Sequence, residues 1–176
     1  MATFSMYLNT VTKTAIEKDI EEMLDQTADL FKLERPLVHA IAWKESNKKF
    51  AATRYEPHLR RTRWYTNVIP QKYKSDPYAY YSMGVMQVLF GVAVEQGYKG
   101  TPFELMRPSN SILYGCKKLK ALIKQHYFLD KAVSSYNQGS PRKMRDPESG
   151  KMVFRNQDYV DKVLRRYRKL GGRVQD

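Results

Sequence analysis

Cysteine is almost absent from this chain, and histidine is scarce. The single Cys116 excludes an internal disulfide, and His39, His58 and His126 are scattered without the spacing of metal ligands. We therefore expect neither a metal site nor any other cofactor.

Long apolar runs are also missing. The first residues, MATFSMYLNTVTKTAIEK, lack the basic start and apolar run of a secretory signal. No stretch approaches the roughly 20 apolar residues that a membrane-spanning helix needs. We expect a protein made without a signal peptide and without a transmembrane segment, so that any role outside the cytoplasm requires another component to carry it there.

Acidic residues are few compared with basic ones. The chain has 31 Lys and Arg against 18 Asp and Glu, a net charge of +13, and its isoelectric point is near 9.7. Such a charge favours polyanionic partners, namely nucleic acid, an anionic membrane, or a bacterial cell wall with its acidic peptides and polymers. The charge alone does not choose among them.

Helical periodicity dominates the sequence, which predicts a single all-α domain over residues 1–176. Helices are predicted over 14–31, 36–46, 83–96, 110–126 and 157–169, with a further one from a cap at Asp130 to Gly139 and a short one at Thr101–Glu104. Residues 47–81, rich in proline and aromatics, predict a long irregular insertion with a short helix or hairpin inside it, and 140–156 a loop.

Glu45 is the first candidate for chemistry. It follows Val38 and Ala42 at helical spacing, so an acid ends a stripe that otherwise predicts core. Burial disfavours the charged carboxylate and raises its pKa, which a general acid requires near neutral pH. From spacing alone, a glutamate that points into water from the last helical turn remains the simpler interpretation.

Further segments occur in an order that favours the catalytic interpretation. They are IAWKES at 41–46, SMGVMQV at 82–88, NSILYGCKKLKAL at 110–122, SSYNQG at 134–139 and YVDKVLRRY at 159–167. Over residues 30–170 this series resembles the soluble lytic transglycosylase family of the lysozyme-like superfamily. The resemblance implies a lysozyme-like all-α fold and an enzyme that cleaves the glycan strands of bacterial peptidoglycan.

The resemblance also implies a role for each matched residue. Glu45 is expected to be the only catalytic acid and base, and the residues expected to bind substrate are Ser46, Met86, Gln87, Tyr136 and Asn137. Three alternatives stay open. Ser46 can be an ordinary helix-end hydroxyl, Met86 can belong to the core, and Tyr136 with Asn137 can be a core aromatic and a helix cap.

In the family mechanism, one carboxylate suffices. Protonated glutamate donates to the glycosidic oxygen and then, as a base, activates the C6 hydroxyl of the same muramic acid, which closes a 1,6-anhydro ring. Val85 and Ser135 are mild departures from the family pattern. The insertion before GVMQ is longer than in compact members and contains Glu56, a candidate second carboxylate that is flanked by Arg54 and has a surface ion pair as its alternative role.

Other functions remain to be weighed. A muramidase that adds water shares the fold and Glu45. A nucleic-acid-binding module fits the charge, but the chain has no recognised nucleic-acid motif, and we expect only weak, salt-dependent binding. An inactive structural part of a larger assembly is a third option. A lone catalytic domain without a signal or anchor suggests a bacteriophage protein acting in lysis or entry, and a bacterial enzyme exported by a specialised machine would look similar. Phage or export-machine components are therefore expected as further partners.

Overall fold

The computed structural model describes the backbone of residues 2–173 and the side chains of residues 15–173. This part of the chain is mainly helical, and the ends of the predicted domain, residue 1 and residues 174–176, lie outside it. The α-helices are α1 (Ala2–Leu30), α2 (Arg35–Ser46), α3 (Arg63–Val68), α4 (Phe90–Glu95), α5 (Pro108–Gln125), α6 (Leu129–Gln138) and α7 (Gln157–Lys169).

Short strands and 3₁₀ helices connect these helices. The strands are β1 (Thr53–Tyr55), β2 (Tyr81–Met83), β3 (Val88–Leu89), β4 (Lys143–Arg145) and β5 (Met152–Phe154), and the 3₁₀ helices are Pro57–Arg61, Gln71–Tyr73, Pro77–Tyr80 and Phe103–Met106. β2 lies between β1 and β3 in an antiparallel sheet, with Ser82 opposite Arg54 on one side and Leu89 on the other. β4 and β5 form a separate hairpin.

Helix α2 lies at the centre of the helical core. Pro36 suits its first turn, where the missing N–H has no helical partner. It ends where Asn47 turns left-handed (φ 53°) and donates its N–H to Trp43 O. Tyrosines of α7 contact both ends of α2, because Tyr167 donates to Glu34 and Tyr159 donates to Glu45, each over 2.6 Å. The two helices therefore run antiparallel.

One hydrophobic core draws on every α-helix. Its members include Ile20, Leu37, Tyr65, Phe90, Ile112, Val133 and Tyr167, one from each helix in chain order. Helix α1 packs against α2 and α5 through Ile20, Leu24 and Ala28, whose side chains are buried. Among residues 2–173, no helix is both long enough and apolar enough to cross a membrane.

Most predicted helices are confirmed, with small shifts in their ends except at the start of α1. Helix 157–169 has the predicted bounds, and α1 begins at Ala2, well before the predicted residue 14. Around the short 3₁₀ helix, Thr101 N–H donates to the Glu104 carboxylate and Glu104 N–H to the Thr101 hydroxyl, the reciprocal capping pair that was expected.

The predicted helix over 83–96 is wrong in its first half. Residues 81–89 form β2, a turn and β3, and only Phe90–Glu95 is helical. Gly84 (φ +74°) and Gln87 (φ 48°) are both left-handed, which a helix does not allow. All of residues 82–88 are buried, so their apolar spacing reflects a buried turn rather than one face of a helix.

The two predicted irregular regions contain more structure than expected. Residues 140–156 hold the β4–β5 hairpin. The insertion at 47–81 contains the expected short helix, α3, while β1 pairs with β2, which begins at the last residue of the insertion and extends past it. Buried Tyr65 attaches the insertion to the core, because its hydroxyl donates to Ala79 O (2.7 Å) and accepts from Gly91 N (3.1 Å).

Candidate active site

Glu45 lies in the last turn of α2, where the buried stripe of Val38, Ile41 and Ala42 brings it toward the interior. Its Oε1 accepts a hydrogen bond from the Tyr159 hydroxyl over 2.6 Å, and Tyr159 itself is buried on α7. The simpler interpretation of the spacing, in which Glu45 points freely into solvent, is therefore wrong.

The electrostatic balance at Glu45 favours its protonated form. Burial raises the pKa of the Glu45 carboxyl above its ordinary value. The hydrogen bond from Tyr159 and the charges of Lys118, Arg54 and Lys44 act against this effect and lower the pKa, but they do not cancel it. An acid with a raised pKa beside several cations can give up a proton and then persist as a carboxylate.

The turn at residues 84–87 is held beside Glu45 by side chains from three helices. Ser46 donates from Oγ to Val85 O (2.7 Å), Ser111 of α5 accepts from Val85 N (3.1 Å), and Tyr136 of α6 donates to Met86 O (2.9 Å). A Cβ at Gly84 would lie 2.5 Å from the Ser111 Cβ, so glycine permits this close approach. These contacts position the turn in the same region as Glu45.

Several residues expected to bind substrate are thus engaged with the protein itself. Gln87 donates from Nε2 to Ala52 O (2.9 Å) and Gly84 O (3.0 Å). Only its side-chain amide oxygen is therefore available to accept a hydrogen bond from a sugar. Met86 is fully buried and lies against the Cys116 thiol, which fits the alternative of a core residue. The Ser46 hydroxyl donates its hydrogen bond to Val85 O, in line with the helix-end alternative.

Tyr136 and Asn137 were expected to form hydrogen bonds near Glu45. Tyr136 does lie in its electrostatic range, because the Glu45 charge contributes to the raised pKa of the Tyr136 phenol after burial itself. Its hydroxyl, however, is donated to Met86 O. Asn137 is exposed, and its Oδ1 accepts from Asn156 Nδ2 over 3.1 Å. The structure thus brings Tyr136 to the site and places Asn137 at the surface beside it.

Glu56, the candidate second carboxylate, is held in an ion pair. Arg54 donates from Nε to Glu56 Oε1 over 2.6 Å, and the Ser82 hydroxyl donates to the same oxygen over 3.1 Å. The side chain is 17% exposed. Arg54 also acts on Glu45, whose pKa it lowers. The two carboxylates therefore share the influence of one arginine, and Glu56 already has its partners.

Two residues of the site were not among those predicted. Tyr159 contacts Glu45 directly, although it lies 114 positions away. Lys118 of α5 donates from Nζ to Tyr136 O (2.6 Å) and lies 4.2 Å from the centre of the Tyr136 ring. A signal for Lys118 was available, since it follows buried Ser111 and Gly115 at helical spacing and so places a cation on an inward stripe.

Two cavities lie elsewhere. One of about 780 Å³ is lined by α1, by residues 47–51 and by Trp43 and Arg166, and one of about 380 Å³ lies between the start of α2 and the junction of α5 with α6. Neither is lined by Glu45. In the part of the chain that the structure describes, no group of three His, Cys, Asp or Glu side chains is placed to hold a metal ion.

Comparison with known proteins identifies the family. A family model described as the transglycosylase SLT domain matches residues 22–154, which include Glu45, the 84–87 turn, Lys118 and Tyr136 but not Tyr159. Comparisons with curated proteins and with solved structures returned no match. The matched span covers most of the 176 residues, and the chain therefore belongs to the transglycosylase SLT domain family, lysozyme-like enzymes of the lytic transglycosylase type that cleave peptidoglycan.

Proposed function

We propose that this enzyme cleaves the β-1,4 bond between N-acetylmuramic acid and N-acetylglucosamine and forms 1,6-anhydro-muramic acid, with Glu45 as its single acid and base. One observation carries the proposal. The Glu45 carboxyl is drawn into the protein at the end of α2, has a raised pKa and accepts a hydrogen bond from Tyr159. The raised pKa favours the protonated state that glycosidic cleavage needs first.

In the first step, protonated Glu45 donates its proton to the glycosidic oxygen. The bond between this oxygen and C1 of the muramic acid breaks, and the glucosamine leaves with a hydroxyl group. The sugar ring that remains carries oxocarbenium character, as in other glycosidase transition states. Glu45 is now a carboxylate, which the Tyr159 hydroxyl and the surrounding cations stabilise.

In the second step, the Glu45 carboxylate accepts the proton of the muramic acid C6 hydroxyl. The O6 atom attacks C1 and closes the 1,6-anhydro ring, so Glu45 regains its proton and no water is consumed. Because the nucleophile belongs to the substrate, the attack is intramolecular and gains from proximity. A second carboxylate is not required for this reaction.

The geometry of Glu56 favours this outcome over hydrolysis. A hydrolytic enzyme of the inverting type needs a second carboxylate free to activate water. Glu56 Oε1 accepts hydrogen bonds from Arg54 and Ser82, so this oxygen is engaged by the protein and is not free to bind a water molecule. We therefore assign Glu56 a structural role at the corner between β1 and β2.

Mass spectrometry of digested peptidoglycan tests the proposal. We expect products that end in anhydro-muramic acid, lighter by one water than the reducing ends that a muramidase leaves. Glu45→Gln should abolish cleavage, while Glu56→Gln should retain anhydro products. The matched control is Glu34→Gln, because Glu34 also accepts a tyrosine hydroxyl on α2, at the opposite end. Reducing ends alone, or an active Glu45→Gln enzyme, would contradict the proposal.

A further inference from the structure

Lys118 is a cation that points into the protein beside the candidate active site. Its ammonium group donates to the backbone oxygen of Tyr136 over 2.6 Å and lies 4.2 Å from the centre of that ring. Among the side chains that the structure describes, no carboxylate lies within ion-pair distance of this ammonium. A lysine that is partly withdrawn from water without a paired anion is costly to a fold and calls for an explanation.

The tyrosine that holds Lys118 also donates to Met86 O, in the turn that Ser46, the neighbour of Glu45, contacts through Val85 O. Lys118 and Glu45 therefore flank the same turn, and their charges act on each other. Burial lowers the pKa of Lys118 to about 8, and the charge of Glu45 partly counteracts this effect. In return, the Lys118 charge lowers the pKa of Glu45, after the larger opposite effect of burial and after the Tyr159 hydrogen bond. Lys118 is therefore still largely charged near neutral pH, where its field reaches the Glu45 carboxylate.

The other charged and titratable groups around Glu45 are less suited to this role. Arg54 of β1 is paired with Glu56, whose negative charge offsets it. Lys44 precedes Glu45 on α2 and lies 5.3 Å from the centre of the Tyr159 ring of α7. The thiol of Cys116 on α5 and the phenols of Tyr136 and Tyr159 have raised pKa values and are neutral. Lys118 is the cation that a backbone carbonyl and an aromatic face hold in place.

We infer that Lys118 is a positioning residue whose fixed positive charge stabilises the Glu45 carboxylate while Glu45 acts as base. The inference rests on the proposed function, in which the carboxylate exists only between the two steps. Lys118 does not form a hydrogen bond to Glu45 and does not itself transfer a proton. It keeps the charged intermediate state of the site accessible although burial raises the pKa of Glu45.

The test compares Lys118→Met with wild type by two measurements. One is an NMR titration of the Glu45 side-chain carboxyl carbon (Cδ), and the other is the pH profile of peptidoglycan cleavage. Loss of the cation should move the Glu45 titration, and the alkaline limb of the rate profile, to higher pH by about half a unit or more. The matched control is Lys124→Met, which removes one exposed charge from the same helix and should move neither. A uniformly lower rate with an unmoved titration would show that Lys118 only packs.

One further measurement keeps the result decisive. If Lys118→Met does not fold, the wild-type Glu45 carbon should show a second, smaller inflection near pH 8, where Lys118 loses its proton; a single inflection overturns the inference. The titration needs no activity, so it is separate from the fate of the proposed function. That function fails only if Glu45→Gln remains active or the products lack anhydro ends.

Discussion

Tyr159→Phe isolates a single hydrogen bond at the candidate active site. The substitution removes only the hydroxyl that donates to Glu45 Oε1 over 2.6 Å. The buried ring stays in place, and so does the contact between that ring and the Lys44 ammonium. Any change in the behaviour of Glu45 can therefore be assigned to the lost donor rather than to repacking.

The expected effect follows from the difference between charged and neutral hydrogen bonds. A bond to a charged group contributes about 1.5–3 kcal/mol and one to a neutral group about 0.5–1.5 kcal/mol. The Tyr159 hydroxyl thus favours the carboxylate over the protonated acid by about 1–1.5 kcal/mol. At about 1.4 kcal/mol per pH unit, its loss should raise the Glu45 pKa and move the alkaline limb of activity up by about one unit.

The assay is the initial rate of peptidoglycan turbidity loss across the pH range, for wild type and variant. The matched control is Tyr167→Phe, which removes the same kind of tyrosine–glutamate bond, also 2.6 Å long, from the other end of α2. The control should leave the pH profile unmoved. An unmoved limb in Tyr159→Phe, a downward shift, or an equal shift in the control would refute the reasoning.

Three further predictions concern stability. In Gly115→Ala, the new methyl would lie 2.6 Å from the Met86 Cβ, so we expect a loss of about 1–3 kcal/mol and a thermal midpoint lower by roughly 2–10 °C. Tyr65→Phe leaves two buried backbone partners without their hydroxyl and should cost about 1–3 kcal/mol in urea unfolding; an unchanged midpoint would contradict its anchoring role. Burial raises the pKa of Glu45 in the folded state above its unfolded value of 4.5. The contribution of Glu45 to the free energy of unfolding is therefore fully present below pH 4.5 and is lost as pH rises through the folded-state pKa. Glu45→Gln should therefore be more stable than wild type at neutral pH, with the gain shrinking toward acid pH in calorimetry.

Helices whose ends depend on local chemistry could be predicted from the sequence. Pro36 and the residues that follow it predict where α2 begins, and the Thr101–Glu104 pair predicts its short helix by capping. Helix α7 has a strong apolar stripe among basic residues, and its predicted bounds match the structure. In each case the signal lies within one or two turns of the residues that it describes.

The region from 81 to 89 could not be predicted in the same way. Its apolar spacing fits a helix, but the left-handed Gly84 and Gln87 are stabilised by contacts with α2, α5 and α6 that are distant in sequence. Ser111, for example, accepts from Val85 N across 26 positions. When a segment is buried on all sides, its periodicity no longer distinguishes a helix from a turn.

The site shows the same division between local and distant information. The spacing around Glu45 allowed an acid at the border of the core but favoured one that points into water, and the structure places the carboxylate at that border with its hydroxyl donor. What spacing could not distinguish is whether a polar motif residue contacts a ligand or the chain itself. The side chains of Ser46, Gln87 and Tyr136 all donate hydrogen bonds to backbone oxygens of the 84–87 turn.

That distinction has a physical basis in how a buried turn is stabilised. A turn has few hydrogen bonds of its own, so its carbonyl oxygens need donors from neighbouring helices when water is excluded. A side chain at a functional site that satisfies such an oxygen produces the same sequence motif as one that binds substrate. Lys118 illustrates the converse, because a lysine in a basic helix suggests a solvated side chain, whereas its spacing from Ser111 and Gly115 directs it inward, where its ammonium contacts the Tyr136 backbone oxygen. In this chain, a charged residue on an inward stripe is therefore a more specific signal of a candidate site than a polar residue that donates to the turn.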